Sequence, residues 1–197
     1  MVEAEWLSSN DPAAMLRSLT ARYSVQRRRG ESPNIQRLRL FGCACCRRVW
    51  DLLDEDHRKS VAMIEKYVQT PTSNGLRAAR RVRWAAGNQA SNGYDQVSCE
   101  TPRDRRKCLI AWARNIASSA VWEAADKNPL TAAKCYRSVA QAVHAIALSD
   151  GLAINGPDPG HIGYELLSDG EVVVQAGILR EIVGNPFSSK HVAKKLK

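Results

Sequence analysis

At Asp11-Pro12, Ser32-Pro33, Thr101-Pro102 and Asn128-Pro129 the chain sets a proline directly behind a residue suited to a helix N-cap. Proline is tolerated in the first helical turn, where its missing N–H has no partner to lose and its fixed φ suits the helix. Apolar residues at helical spacing follow each pair. Met15, Leu16, Leu19 and Tyr23 follow the first, and Ile35, Leu38, Phe41, Cys45, Val49 and Leu52 the second. Leu109, Trp112, Ala113, Ile116 and Ala120 follow the third, and Cys135, Val139, Val143 and Ile146 the fourth. A period near 3.6 repeated behind such caps predicts helices rather than strands.

Three more helices complete the expected set. Asp54, Glu55 and Asp56 suit the positive end of a helix dipole, and His57, Val61, Ile64 and Val68 then share one face. Thr70-Pro71-Thr72-Ser73 breaks that helix, and another is predicted over about 74–86. The β-prone run Glu171-Val172-Val173-Val174 lies between a Ser168/Glu171 capping box and a Gly184-Asn185-Pro186 stop, so it too predicts helix. The expected fold is therefore all-α: about seven helices in an antiparallel, mostly up-and-down bundle forming one domain over 1–187. A long loop is expected near 149–167, where Gly156-Pro157-Asp158-Pro159-Gly160 falls, and a basic, flexible tail over 188–197.

Charge and apolar content narrow the functional classes. The chain has 197 residues and a net charge of +9, a surplus that favours acidic partners such as nucleic acid or an acidic protein surface. No apolar run approaches the ~20 residues that cross a bilayer, and Met1-Val2-Glu3-Ala4-Glu5-Trp6 lacks the order of a signal peptide. No membrane association and a cytoplasmic location are the corresponding expectations. A phosphate-cradling glycine loop, His-Glu-x-x-His and Gly-x-Ser-x-Gly are all missing from the sequence. The four histidines are scattered, so no catalytic residues are expected.

Six cysteines in a chain of this length, without a secretory leader, are expected to be reduced. Three of them stand together in Phe41-Gly42-Cys43-Ala44-Cys45-Cys46-Arg47-Arg48-Val49-Trp50. A helix turns ~100° per residue, so Cys43 and Cys45 point nearly opposite ways while Cys43 and Cys46 lie side by side. Cys45 falls on the core face. Cys43 and Cys46 are then the only pair from this helix that could share a zinc ion or an iron–sulfur centre, with His57 as a nearby third ligand. The leading expectation is no cofactor, with zinc as the alternative; a thiol-dependent enzyme is a further alternative, since Arg47 and Arg48 could stabilise a thiolate.

A second constellation is cationic. Arg77, Arg80, Arg81 and Trp84 occupy roughly a 100° arc of the fourth predicted helix. Guanidinium groups there could hold phosphates while the indole stacks on a base. Arg103, Arg105, Arg106 and Lys107 crowd the first turns of the fifth helix, against its dipole, a local cost that invites an acidic partner or a neighbouring carboxylate.

The segments Glu3-Ala4-Glu5-Trp6-Leu7, Asp11-Pro12 with Met15-Leu16, and Arg37-Leu38-Arg39-Leu40-Phe41 resemble those of a bacterial family abundant in planctomycetes. So do Cys43-Ala44-Cys45-Cys46-Arg47-Arg48-Val49-Trp50 and Leu179-Arg180-Glu181-Ile182-Val183-Gly184-Asn185-Pro186-Phe187. The resemblance implies no activity. It implies that Cys43, Cys45 and Cys46 belong to a shared motif while Cys99, Cys108 and Cys135 lie outside it. The functional expectation is a non-enzymatic binding or adaptor protein that meets nucleic acid, or a nucleic-acid-associated complex, through arginine-rich helix faces.

Overall fold

Each of the four proline signals marks the first residue of a helix. The computed structural model describes residues 1–23, 33–71, 74–82, 102–126, 128–151 and 169–186. Its helices are α1 (Glu3–Ser8), α2 (Pro12–Tyr23), α3 (Pro33–Arg48), α4 (Glu55–Gln69), α5 (described over 75–82), α6 (Pro102–Ala124), α7 (Pro129–Ala133), α8 (Tyr136–Gly151) and α9 (Asp169–Val183). A 3-10 turn, Trp50–Leu52, links α3 to α4. Among the described residues every regular element is helical, and no helix is long and apolar enough to cross a membrane.

The caps work as their chemistry requires. Asp11 Oδ1 accepts from the Ala13 N–H at 2.7 Å, and Asp54 Oδ1 accepts from the His57 N–H at 2.8 Å, each satisfying a first-turn donor. Gly184 stands at φ +73 just after α9, in the left-handed region that glycine enters without penalty, and its N–H bonds the Arg180 carbonyl at 2.8 Å.

Three expectations need correction. The sequence pattern missed α1, a helix of six residues, which is too short to show a period. The stretch after Pro129 is two helices rather than one, with a turn at Lys134 and Cys135 between α7 and α8. The expected loop near 149–167 begins later, because α8 runs on to Gly151; residues 152–168 lie outside the described residues, as do 83–86 of the predicted fourth helix and the tail 188–197.

α3 is the axis of the bundle. It packs against α4, α6, α7, α8 and α9, so it is covered on more than one side. Leu38, Phe41, Cys43, Cys45, Cys46 and Val49 are all buried, and so is Arg39. The Arg39 guanidinium donates to the Asp126 carbonyl just beyond α6 and lies over the Tyr67 ring, 5.9 Å from its centroid. Many of the buried residues on the helices around α3 are small: Ala113, Ala117, Ala120, Ala124, Ala132, Ala133 and Ala176 are fully buried. Small facing residues let helix axes approach closely.

One such close approach is at Gly42. A Cβ added there would lie 2.7 Å from the Ala132 backbone oxygen of α7. Cys135 then donates its S–H to the Gly42 carbonyl at 3.3 Å. Glycine at this position is therefore a packing requirement, and the turn between α7 and α8 is what brings Cys135 against α3.

Candidate functional site

The cysteine helix places its thiols more deeply than one inward face would allow. Cys43 and Cys45 do point to different sides of α3, but both sides are core, and Cys43, Cys45, Cys46 and Cys135 are buried and free. Cys135, 89 positions after Cys46, completes the group beside Cys45 and Cys46. Burial, with the neighbouring Cys46, pushes the Cys43 thiol well up, and burial also pushes Cys45 up. Cys46 is raised by its hydrogen bond with Cys135 and by burial, and Cys135 by its bond with Cys45 and by burial. Thiols held neutral in this way are poor nucleophiles. One cysteine departs from the reduced state expected of all six: Cys108, buried on α6, is disulfide-bonded.

The expected metal set does not assemble. His57 is 1% exposed and both ring nitrogens are committed: Nδ1 lies 2.8 Å from Asp54 Oδ2, and Nε2 lies 2.7 Å from Ser118 Oγ. A ligating imidazole needs a free lone pair on one nitrogen, and neither is open here. In this structure His57 is engaged by Asp54 and Ser118. Among the described residues no three histidine, cysteine or carboxylate side chains are grouped so as to hold a metal ion.

The Asp54–His57–Ser118 chain was not anticipated from the sequence. With the ring proton on Nδ1, His57 donates to Asp54 and accepts from the Ser118 hydroxyl, and every buried polar atom in the chain is satisfied. Burial alone would raise the Asp54 carboxyl, but bonds from the His57 backbone N–H and ring outweigh it and hold the group below its usual range. The same order of groups serves acyl transfer in hydrolases, where backbone N–H donors beside the serine hold the developing oxyanion. Ser118 instead sits within α6, 4% exposed, where backbone N–H groups belong to the helix ladder. The chain fastens the first turn of α4 to the middle of α6.

Arginine divides into two populations. Those of the cysteine helix are paired. Arg47 forks onto Glu65 at 3.1 and 2.7 Å while lying 3.9 Å from the Trp50 ring centroid. Arg48 forks onto Glu171 at 3.3 and 3.0 Å; that carboxylate is buried and also accepts from Gln175 at 3.1 Å. The placement that suggested thiolate activation therefore serves helix–helix pairing.

The other population is open. Arg77 and Arg81 are exposed on α5 and Arg80 is half-buried, and none of the three has an ion-pair partner among the described residues. Arg114, exposed on α6 and not singled out by the sequence pattern, is likewise unpaired among them. Both helices are fixed to neighbouring turns of α4: Ser60 Oγ donates to the Ala79 carbonyl of α5 at 3.0 Å, and His57 meets Ser118 of α6, one turn beyond Arg114. Of the cations at the start of α6, Lys107 pairs with Asp104 at 3.4 Å, the neighbouring carboxylate that offsets the dipole cost, and Arg106 is exposed but engaged. Arg103 and Arg105 lie on α6 with their side chains outside the described set, and Trp84 lies outside the described residues altogether.

Comparison of the chain with models of known families, with characterised proteins and with solved structures finds no match.

Proposed function

We propose that this protein is a non-enzymatic helical binding protein whose open arginines on α5 and α6 engage the phosphates of a nucleic acid or of a nucleic-acid-associated complex. The observation that carries this reading is the division between the two arginine populations. Arg47 and Arg48 of the cysteine helix are neutralised by Glu65 and Glu171, whereas Arg77, Arg81 and Arg114 stand exposed, with no ion-pair partner among the described residues, on two helices joined to the same side of α4. Unpaired guanidinium groups on a rigid support attract phosphate at long range and lose little side-chain order on contact. The raised thiols favour this reading over a thiol-dependent enzyme, and the committed His57 ring favours it over a zinc-stabilised domain.

The test is fluorescence anisotropy with labelled single- and double-stranded oligonucleotides over a salt series. The expected result is binding at low salt that weakens steeply as salt rises. The Arg77→Ala/Arg81→Ala/Arg114→Ala variant should lower the log–log salt slope by about two to three, since each phosphate contact contributes roughly 0.7–0.9. No binding to either oligonucleotide at low salt would sink the proposal. An unchanged slope in the variant would remove these arginines from it.

A further inference from the structure

Most of the N-terminal helix lies exposed. Of its six residues only Trp6 is buried, at 0% exposure, in the core cluster that also contains Met15, Leu19, Leu179 and Val183. Glu3, Ala4, Glu5, Leu7 and Ser8 are exposed, as is Val2 before them; Leu7 is 55% exposed and Val2 60%. Two polar contacts flank the indole, and both come from the C-terminal end of α9. Asn185 Nδ2 donates to Glu3 Oε1, and the Arg180 guanidinium donates to the Ser9 carbonyl.

Two further polar bonds are local to α1. The Val2 N–H donates to Glu5 Oε2 at 2.7 Å and Ser8 Oγ donates to the Ala4 carbonyl at 2.9 Å. α2 carries its own cap, Asp11 Oδ1 on the Ala13 N–H, so it keeps its N-terminus whether or not α1 is docked. Between the two helices stand only Ser9, Asn10 and Asp11, with Ser9 extended at φ −67 and ψ 131. A six-residue helix lies far below the length that persists in water, so the order of α1 depends on the docked indole. Elements with few buried contacts open at free energies below that of global unfolding.

We propose that α1 and Trp6 form a detachable plug, and that the pocket it leaves beside α2 and the end of α9 accepts the α1 of a second copy of this chain. The occupant follows from the pocket. Its apolar part is shaped by an indole, and its rim presents Asn185 and Arg180, which meet a carboxylate three residues before the tryptophan and a carbonyl three residues after it. A second copy supplies that set in the same register, so exchange of α1 keeps every docking contact and needs no new interface. Exchange of an identical element is a low-cost route to a dimer.

Full-length Trp6→Gly, which empties the pocket, is mixed with a synthetic peptide of residues 1–10, and with the same peptide carrying Trp6→Ala. The variant should stay helical and melt on the order of 10 °C below the parent. The native peptide should restore much of that loss saturably and the control peptide none. A folded variant that gains nothing from millimolar native peptide overturns the proposal. Should the variant fail to fold, hydrogen exchange on the unaltered chain decides. Amides of Trp6, Leu7 and Ser8 should exchange at least about tenfold faster than those of α3, and exchange of both only through global unfolding overturns the plug. Light scattering of the unaltered chain should show a dimer growing with concentration and lost in Trp6→Gly. A monomer at millimolar concentration removes the second copy as occupant.

Discussion

Gly42→Ala isolates the packing of the cysteine helix from its propensity. In an exposed helix interior this substitution gains about 1 kcal/mol, because alanine loses less backbone entropy than glycine. At Gly42 the added methyl would sit 2.7 Å from the Ala132 backbone oxygen and 3.5 Å from Cys135 Sγ. Ordinary contact begins near 3.4 Å, so α7 must retreat by roughly 0.7 Å, and it can do so only by moving backbone. Such overpacking costs about 1–3 kcal/mol, and displacement of the 3.3 Å bond from Cys135 to the Gly42 carbonyl adds about 0.5–1 kcal/mol. The balance is a loss of about 1–2 kcal/mol. Gly177→Ala on α9 is the matched control, because nothing lies within 4 Å of its added Cβ and only the propensity gain of about 0.5–1 kcal/mol remains. Thermal melts followed by circular dichroism should move in opposite directions: down about 2–8 °C for Gly42→Ala and up about 1–4 °C for Gly177→Ala. The shared propensity contribution cancels in the comparison. If the two variants melt together, the close α3–α7 crossing does not exist and the account of the cysteine helix given above is wrong.

Ser118→Ala removes the hydroxyl that faces Nε2 of a buried ring and should cost about 1–3 kcal/mol in chemical denaturation, with Ser118→Thr recovering part of it; an unchanged midpoint would show that the chain is not made. Glu123→Gln tests a pH dependence of defined sign. Burial raises the Glu123 carboxyl, so the folded state holds its proton more tightly than the unfolded chain, and stability falls as pH rises from the ordinary carboxylate range through the raised value. The variant should keep its bond from Ser138 and gain on the parent steadily over that window; a gap that does not grow with pH refutes the assignment. Asp54 has the opposite sign, its depressed carboxyl giving stability above the unfolded value that is lost as pH falls through the folded one, and Asp54→Asn should flatten that acid limb. The four buried free thiols should react with a disulfide probe only at the rate of unfolding, and one fast thiol in the native protein would restore the thiol-enzyme reading.

Helix starts were legible because they are local: a cap, a proline and an apolar period lie within a few residues of one another. The division at Lys134 and Cys135 was not, since no glycine or proline marks it and the apolar period runs through it unbroken. What the turn accomplishes is long-range, bringing Cys135 to the Gly42 carbonyl. The same limit hid the thiol group and the histidine chain. A helical wheel assumes one inward face, and α3 has several, so Cys43, Cys45 and Cys46 are all buried although their spacing separates them. His57 and Ser118 lie 61 positions apart, and nothing in either neighbourhood marks the other. Arg114 stands alone in an alanine-rich stretch, and only its lack of an ion-pair partner among the described residues singles it out.

The segments that stand out most in the sequence turn out to hold the molecule together. Arg37 donates to the Val183 carbonyl at 3.0 Å, closing the end of α9, while Arg180 and Asn185 hold α1 and Arg48 holds Glu171 at the opposite end of α9. The N-terminal helix, α9 and the cysteine helix are thus tied into one unit by these contacts. Breaking Arg48–Glu171 from the arginine side would leave a carboxylate that is 3% exposed without its forked guanidinium. With Arg48 itself 46% exposed, the loss is about 1–3 kcal/mol, less than for a fully buried pair. Recognition then falls to surfaces that this unit leaves uncommitted. Arg77, Arg81 and Arg114 meet that condition, because none of the three has an ion-pair partner among the described residues and the helices that carry them are fixed through Ser60 and His57 instead. Replacing Arg77, Arg81 and Arg114 together should therefore leave the melting temperature within about 2 °C of the parent, since substitutions away from packed or paired groups stay within about 0.5 kcal/mol. Replacing Arg48 alone should lower it by several degrees. A large loss in the triple variant would mean that those arginines support the fold after all, and the division on which the binding proposal rests would fail with it.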